Sequence, residues 1–185
     1  EIPKRDWSSD VCSSDLAARM ADVYLMWPDT TPAVEEIIRD MRARAQAYGR
    51  TLRFGYRVHV IVRETEAEAR EHAEYLVAAL DDEIGRAIRA RSLDATSVGV
   101  ARQSELRDGA DEDGYAEPHL WTGIGRARSG CGAAIVGSAE QVIEKIQSYQ
   151  RLGIEAFIFS GYPHREECRY VGELVLPNLT HAPLY

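Results

Sequence analysis

The chain has 185 residues, of which 45% are hydrophobic and 28% charged, with a formal net charge of −8. That length suits one domain with a sizeable core, and the acidic balance argues against a general nucleic-acid binder because no basic surplus is left to neutralise phosphates. No apolar run reaches the length of a membrane span. Cys12, Cys131 and Cys168 lack metal-ligand spacing and leave one thiol unpaired, a usage expected of a reducing compartment, most simply the bacterial cytosol.

Residues 1–16, EIPKRDWSSDVCSSDL, differ from everything that follows. A Ser-Ser-Asp-apolar element occurs at Ser8–Val11 and again at Ser13–Leu16, with no helical or strand period, and with no apolar h-region in this stretch a secretory signal is not expected. The segment resembles a translated sequencing adapter. It is therefore expected to be a non-native tail, with the domain proper covering residues 17–185. A disordered native tail is the alternative.

Ala21–Trp27, ADVYLMW, is a near-continuous apolar run and reads as a buried strand of a parallel sheet. Trp27-Pro28-Asp29 closes it. Thr31 is placed as an N-cap with Pro32 at the first helical position, and Val34, Ile37, Ile38, Met41, Ala45 and Tyr48 recur at helical spacing before Gly49 ends the helix. In Leu52–Glu64 the residues Phe54, Tyr56, Val58, Val60 and Val62 alternate with Arg53, Gly55, Arg57, His59 and Ile61, which predicts a strand with one apolar face. Arg57 and His59 share the other face. They belong either to the wet side of an edge strand or to a site.

Thr65 and Glu68 make a capping box, and Ala69, Ala73, Leu76, Val77, Leu80, Ile84 and Ile88 predict one long amphipathic helix. Its Glu71, Glu74, Asp81 and Asp82 read as a solvated face. From about Ser92 to Gly132 the periodicity stops, through Arg107–Gly114 and Gly123–Gly132. A loop this long is expected to be a lid, a binding loop or disorder. Gly123-x-Gly125 is not a dinucleotide fingerprint, because no strand precedes it and the third glycine is misplaced. Arg126 and Arg128 could reach an anion or lie on the surface. Ala133–Gly137 is a short strand, Ser138 and Gln141 form a second capping box, and Val142, Ile143, Ile146, Tyr149 and Leu152 stripe the helix that Gly153 ends. Ile154–Ser160 is a further buried strand, followed by Gly161-Tyr162-Pro163-His164 and a last helix from about Arg165 to Leu176.

The order β-α-β-α-insert-β-α-β-α implies parallel pairing with right-handed crossovers. Four such units make half of an eight-stranded βα barrel, and a small doubly wound sheet is the alternative. In a barrel the site gathers at the C-terminal ends of the strands. Trp27, Arg57, His59, Arg128, Tyr162 and His164 all fall at that end. Paired arginines suit a sulfonate, phosphate or carboxylate. His59 can exchange a proton near neutral pH, Tyr162 can donate a hydrogen bond, and Trp27 offers a flat apolar wall. With no metal spacing and no nucleophile elbow, such a pocket binds an anion and leaves the difficult chemistry to a cofactor.

The stretches ADVYLMW, RFGYRVHVIVRETEAEA, LWTGIGRARSGCGAAIVGSAEQV and LGIEAFIFSGYPHREECRYVGELVLP follow one another in a familiar order. From about Ala17 to the end they resemble the C-terminal half of the reduced-FMN-dependent alkanesulfonate monooxygenases, a branch of the bacterial luciferase-like flavin monooxygenases. RxHVIVRET and SGYPHxEE carry the resemblance. It implies an α/β fold in which this chain supplies strands five to eight of a (βα)8 TIM barrel, with a long mobile insert that includes Arg107–Gly114. It implies a separate NAD(P)H-dependent FMN reductase that supplies reduced FMN (FMNH2), with O2 as co-substrate and an alkanesulfonate cleaved to aldehyde and sulfite. It further implies a cytoplasmic bacterial enzyme that is a homo-oligomer when intact. Under the resemblance Arg57 and Arg128 correspond to active-site arginines that hold the sulfonate. His59 and Tyr162 correspond to candidate acid/base and peroxide-stabilising groups beside the flavin, Trp27 to a wall that substrate and cofactor share, and His164 lies in the same motif. The family's first half is absent, with its active-site Cys and its flavin-phosphate turn, so this chain alone is expected to be inactive. The alternatives are a related enzyme acting on a sulfone, methanesulfonate or an alkane, and a non-catalytic flavin-binding half-barrel.

Overall fold

A computed structural model describes residues 11–91, 98–126 and 132–182. Its spine is β2 (Arg53–Arg63), and the period-two pattern decides how that strand is used. Phe54, Tyr56, Val58, Val60 and Val62 all enter the main core, against Val34, Ile38 and Met41 of α2 (Thr31–Ala47) and Val142, Ile146 and Tyr149 of α6 (Ala139–Leu152). Gly55, Arg57, His59 and Ile61 take the opposite face.

Three strands pair with β2, all of them parallel. β1 (Val23–Met26) runs beside Arg53–Tyr56, β6 (Ile154–Ser160) beside Phe54–His59, and β5 (Ala134–Ser138) beside His59–Arg63. A strand has two edges, so two of the three must share one. Tyr56 is matched by both Met26 and Phe157, and His59 by both Ala134 and Ser160. β1 and β5 therefore follow each other along one edge and β6 fills the other. The expected α/β half-barrel holds, but its parallel strands do not stand in the order of the chain. Apolar runs of similar length carry no label for neighbour choice.

The insert is not the structureless loop its composition suggests. It contains α5 (Val98–Asp108), a hairpin of β3 (Tyr115–Glu117) and β4 (Leu120–Trp121), and a 3-10 turn at Gly123–Arg126. β4 pairs antiparallel with β5, so the insert extends the sheet. Trp121 is buried, and Gly123 admits it because a Cβ there would lie 2.1 Å from the indole.

Both capping boxes form, Thr65 with Glu68 and Ser138 with Gln141. Gly49 and Gly153 adopt positive φ of 65° and 107° just past α2 and α6, as the C-terminal stop requires. The helix expected to reach Ile88 instead breaks into α3 (Glu66–Val77) and α4 (Asp82–Ala90). Asp81 restarts it by accepting from the amides of Glu83 and Ile84 at 2.8 and 3.0 Å. The N-cap of α2 is Thr30, one residue before the expected Thr31. The last helix, α7 (His164–Tyr170), continues as a wider π turn over Val171–Val175.

Residues 11–16, expected to lack a helical period, are the first part of a helix, α1 (Val11–Met20), and Tyr48 donates a 2.6 Å hydrogen bond to Asp15. Helical geometry says nothing of origin, and we retain as a proposal that residues 1–16 are non-native. Among the described residues no helix is long and apolar enough to cross a membrane.

Candidate functional site

The inner face of the half-barrel can be read from the register. Gly55 pairs with Leu25 on one side and Ala156 on the other, Arg57 lies beside Ile158, and His59 beside Ser160. Trp27 follows Met26 directly and continues the Val23, Leu25 side of β1. Leu25 and Ile158 are 47% and 48% exposed, so this face offers an open apolar floor. Gly55 leaves room for the Leu25 side chain on it, since a Cβ there would lie 2.9 Å from Leu25 Cδ1.

Polar groups collect at the C-terminal end of that floor. His59 is 3% exposed, and its ring stacks on Tyr162 with centroids 5.4 Å apart and 21° between planes. Tyr162 in turn meets His164 edge-on at 4.9 Å. Tyr162 leads into a cis peptide with Pro163 and packs on the smaller cluster of Ile61, Ala69, Ala73, Trp121 and Val136. Arg57 is half-buried two residues before His59 on the same face. The Ser160 hydroxyl beside His59 is buried and has no hydrogen-bond partner among the described residues. A buried hydroxyl without a partner is uncommon and calls for an explanation such as a bound group.

The fold thus brings together four of the residues singled out in the sequence, Arg57, His59, Tyr162 and His164, and sets Trp27 on the neighbouring strand. Arg128 lies outside the described residues. Arg126, its neighbour in the insert, is half-buried at the end of the 3-10 turn. Ser160 opens the SGYPHxEE stretch at the end of an apolar run, but no role for it is read from the sequence.

Sequence reasoning also passes over a buried polar network under the Trp27 turn. Tyr56 and Tyr149 read as core aromatics, and their rings do pack at 4.4 Å. Their hydroxyls, however, both donate to the Asp29 carbonyl at 3.2 Å. Burial pushes both phenols well above the usual tyrosine range. A groove of about 590 Å³ opens elsewhere, between α3 and α7, lined by His72, Tyr75 and Tyr170 among others. None of the residues predicted for the site lines it. Among the described residues no group of His, Cys, Asp and Glu is arranged to hold a metal ion.

The inner face fits a flat conjugated ring in three respects. Its floor is apolar and open, a stacked His–Tyr pair closes one end, and an unsatisfied hydroxyl points into the same region. A permanently charged arginine on that floor adds a place for an anion.

A half-barrel sheet with its polar cluster at the strand C-termini is the arrangement of a TIM-barrel enzyme. The profile of the luciferase-like monooxygenases matches residues 9–156, and the chain belongs to that family. It is 63% identical over 170 residues to a sulfoquinovose monooxygenase of Novosphingobium aromaticivorans, covering 92% of this chain and 47% of that protein. A sulfoquinovose monooxygenase of Agrobacterium fabrum is 54% identical over 170 residues, 92% of this chain and 44% of its own length. The chain thus spans about half the length of the curated relatives it matches. Among solved structures, a riboflavin lyase with modified FMN and riboflavin shares the fold at a TM-score of 0.67 with 16% identity, covering 90% of this chain and 40% of that one.

Proposed function

We propose that this chain is the C-terminal half of a two-component flavin monooxygenase that acts on an organosulfonate. The observation that carries the reading is Arg57 and the His59–Tyr162 stack on one open apolar face at the strand ends. Reduced FMN, supplied by a separate NAD(P)H-dependent reductase, would activate O2 there. Leu25, Ile158 and Trp27 would hold the ring. His59, almost fully buried, would move a proton at one ring nitrogen, and Tyr162 would donate a hydrogen bond from its hydroxyl. Arg57, with Arg128 from the insert, would hold the sulfonate by paired N–H donors. A bacterial cytoplasmic setting and an oligomeric intact protein accompany this reading.

Alkanesulfonate is the substrate suggested by the sequence motifs, while the relatives at 63% and 54% identity carry the name of sulfoquinovose, a sugar sulfonate. The two share the head group that Arg57 would recognise, and the relatives favour the sugar. Sulfite release by the intact parent with a flavin reductase would be compared on both substrates. Release from sulfoquinovose at a kcat/KM at least about tenfold higher supports the sugar, a difference of roughly 1.4 kcal/mol in transition-state binding. No sulfite from either substrate would overturn the reading. In the same protein Arg57→Ala should lower kcat/KM by about two orders of magnitude or more while the circular dichroism spectrum persists, and unchanged kinetics would remove Arg57 from the site.

A further inference from the structure

The insert grips the rest of the protein at a second place, away from the β4–β5 ladder. Glu117 of β3 accepts from the Thr31 amide at 2.9 and 3.0 Å through its two oxygens. Its Oε1 also accepts from the Thr31 hydroxyl at 3.0 Å and Lys145 Nζ at 2.7 Å, and shares with the Asp29 carbonyl the one proton of the Tyr149 hydroxyl, 3.2 Å away. Thr30, the N-cap of α2, makes no side-chain cap bond of its own. A carboxylate 86 residues away in sequence does that work instead, at the end of the helix where backbone amides are free and negative charge is favoured.

The same turn is held from its other side by α5. Arg102 Nε donates to the Asp29 carboxylate, and Gln103 Nε2 donates to the Pro28 carbonyl at 2.7 Å. Gly99 faces the indole, and a Cβ there would lie 3.4 Å from Trp27 Cζ3, at ordinary van der Waals contact. Residues 27–31 are thus clasped between β3 and α5, with the Tyr56 and Tyr149 hydroxyls beneath them.

We propose that Glu117 and Arg102 are positioning residues, which tie the placement of the insert to the placement of Trp27 and so to the width of the site. The proposal rests on the reading that Trp27 lines the site, but its clasp can be tested without any ligand. Hydrogen–deuterium exchange would be followed on the purified chain and on E117A, E117Q and R102K, with a fluorinated tryptophan at Trp27 assigned through W27F. E117A should speed exchange about tenfold in the first turn of α2 and in α5, the size of a lost helix cap, and should shift the Trp27 fluorine resonance. The centre of β2 should stay protected. E117Q keeps an acceptor for the Thr31 amide and should restore most of the α2 protection. R102K keeps the charge and should leave α2 unchanged while loosening α5.

Faster exchange confined to the β3–β4 hairpin, or an unmoved Trp27 resonance, would overturn the proposal. So would uniform loosening of every element in both E117A and the milder E117Q. Failure of the functional reading looks different. The wild-type chain, or the intact parent, would show no saturable binding of reduced FMN in an anaerobic titration, while the exchange pattern of the variants remained as described.

Discussion

Gly161 shows how a single missing side chain holds the site together. A Cβ there would lie 2.5 Å from the Cβ of Glu167 and 3.1 Å from the Val60 carbonyl oxygen. Gly161→Ala should therefore push α7 away from β2 and separate Tyr162 from His59. Loss of the upfield ring-current shifts of the His59 ring would report it, and an unchanged spectrum would mean the neighbours give way. Glu167 is itself instructive. It is 2% exposed and is held by Arg63 through bonds of 2.6 and 3.1 Å, while the Arg63 guanidinium lies 4.3 Å from the centre of the Tyr170 ring. Glu167→Ala leaves that arginine 12% exposed without its counter-charge. The expected cost is about 3 kcal/mol, read as a lower urea midpoint at unchanged slope. Both residues lie in the SGYPHxEE stretch, but nothing local in the sequence marks what either one packs against. A glutamate in an EE pair at a helix start resembles any solvated carboxylate, and its partner lies 104 residues away. Arg57 and His59 are legible because a two-residue spacing on a strand fixes their common face. Nothing so local marks Ser160, Asp29 or Glu117.

At the scale of elements, what depends on a short window of sequence is recovered and what depends on distant partners is not. The alternation in β2, the stop at Gly49 and both capping boxes involve residues within a few positions of one another. The break between α3 and α4 is different. Leu80 and Ile84 fit the apolar stripe, yet Ile84 is 58% exposed, and Asp81 begins a new helix with its own carboxylate. Periodicity of apolar residues therefore overstates the length of a helix when a capping side chain falls inside it. The strand order fails for a related reason. The hairpin of the insert pairs with β5, and only the pairing of β5 with His59–Arg63 of β2 reveals that the third parallel strand shares an edge with the first. The insert itself is read as loop because α5 and two very short strands have weak patterns of their own. They gain their order from Trp121, Leu120 and Ile124 packed against α3 and β5.

For the molecule as a whole, the buried tyrosines set a pH limit. Burial pushes Tyr115 up to about 12 from the model-compound value of 10.0 and raises Tyr56 and Tyr149 as well. A phenol that ionises at higher pH when folded contributes stability that is fully present below the unfolded value and is lost as pH rises through the folded one. The urea midpoint should accordingly fall from about pH 10 upward, and Tyr115→Phe should flatten that fall between about pH 10 and 12. A midpoint that drops as steeply in the variant would assign the loss to other groups.

The clasp on residues 27–31 also decides where this protein can be cut and rejoined. An engineer wishing to move the substrate preference of one relative onto another would naturally exchange the insert alone, with joints near residues 98 and 126. Such a transplant would carry Glu117 and Arg102 but leave behind Thr31, Asp29, Lys145 and Tyr149, which were fitted to a different pair. The exchangeable unit is therefore discontinuous: the insert, the turn after β1 with the first residues of α2, and the two facing side chains of α6.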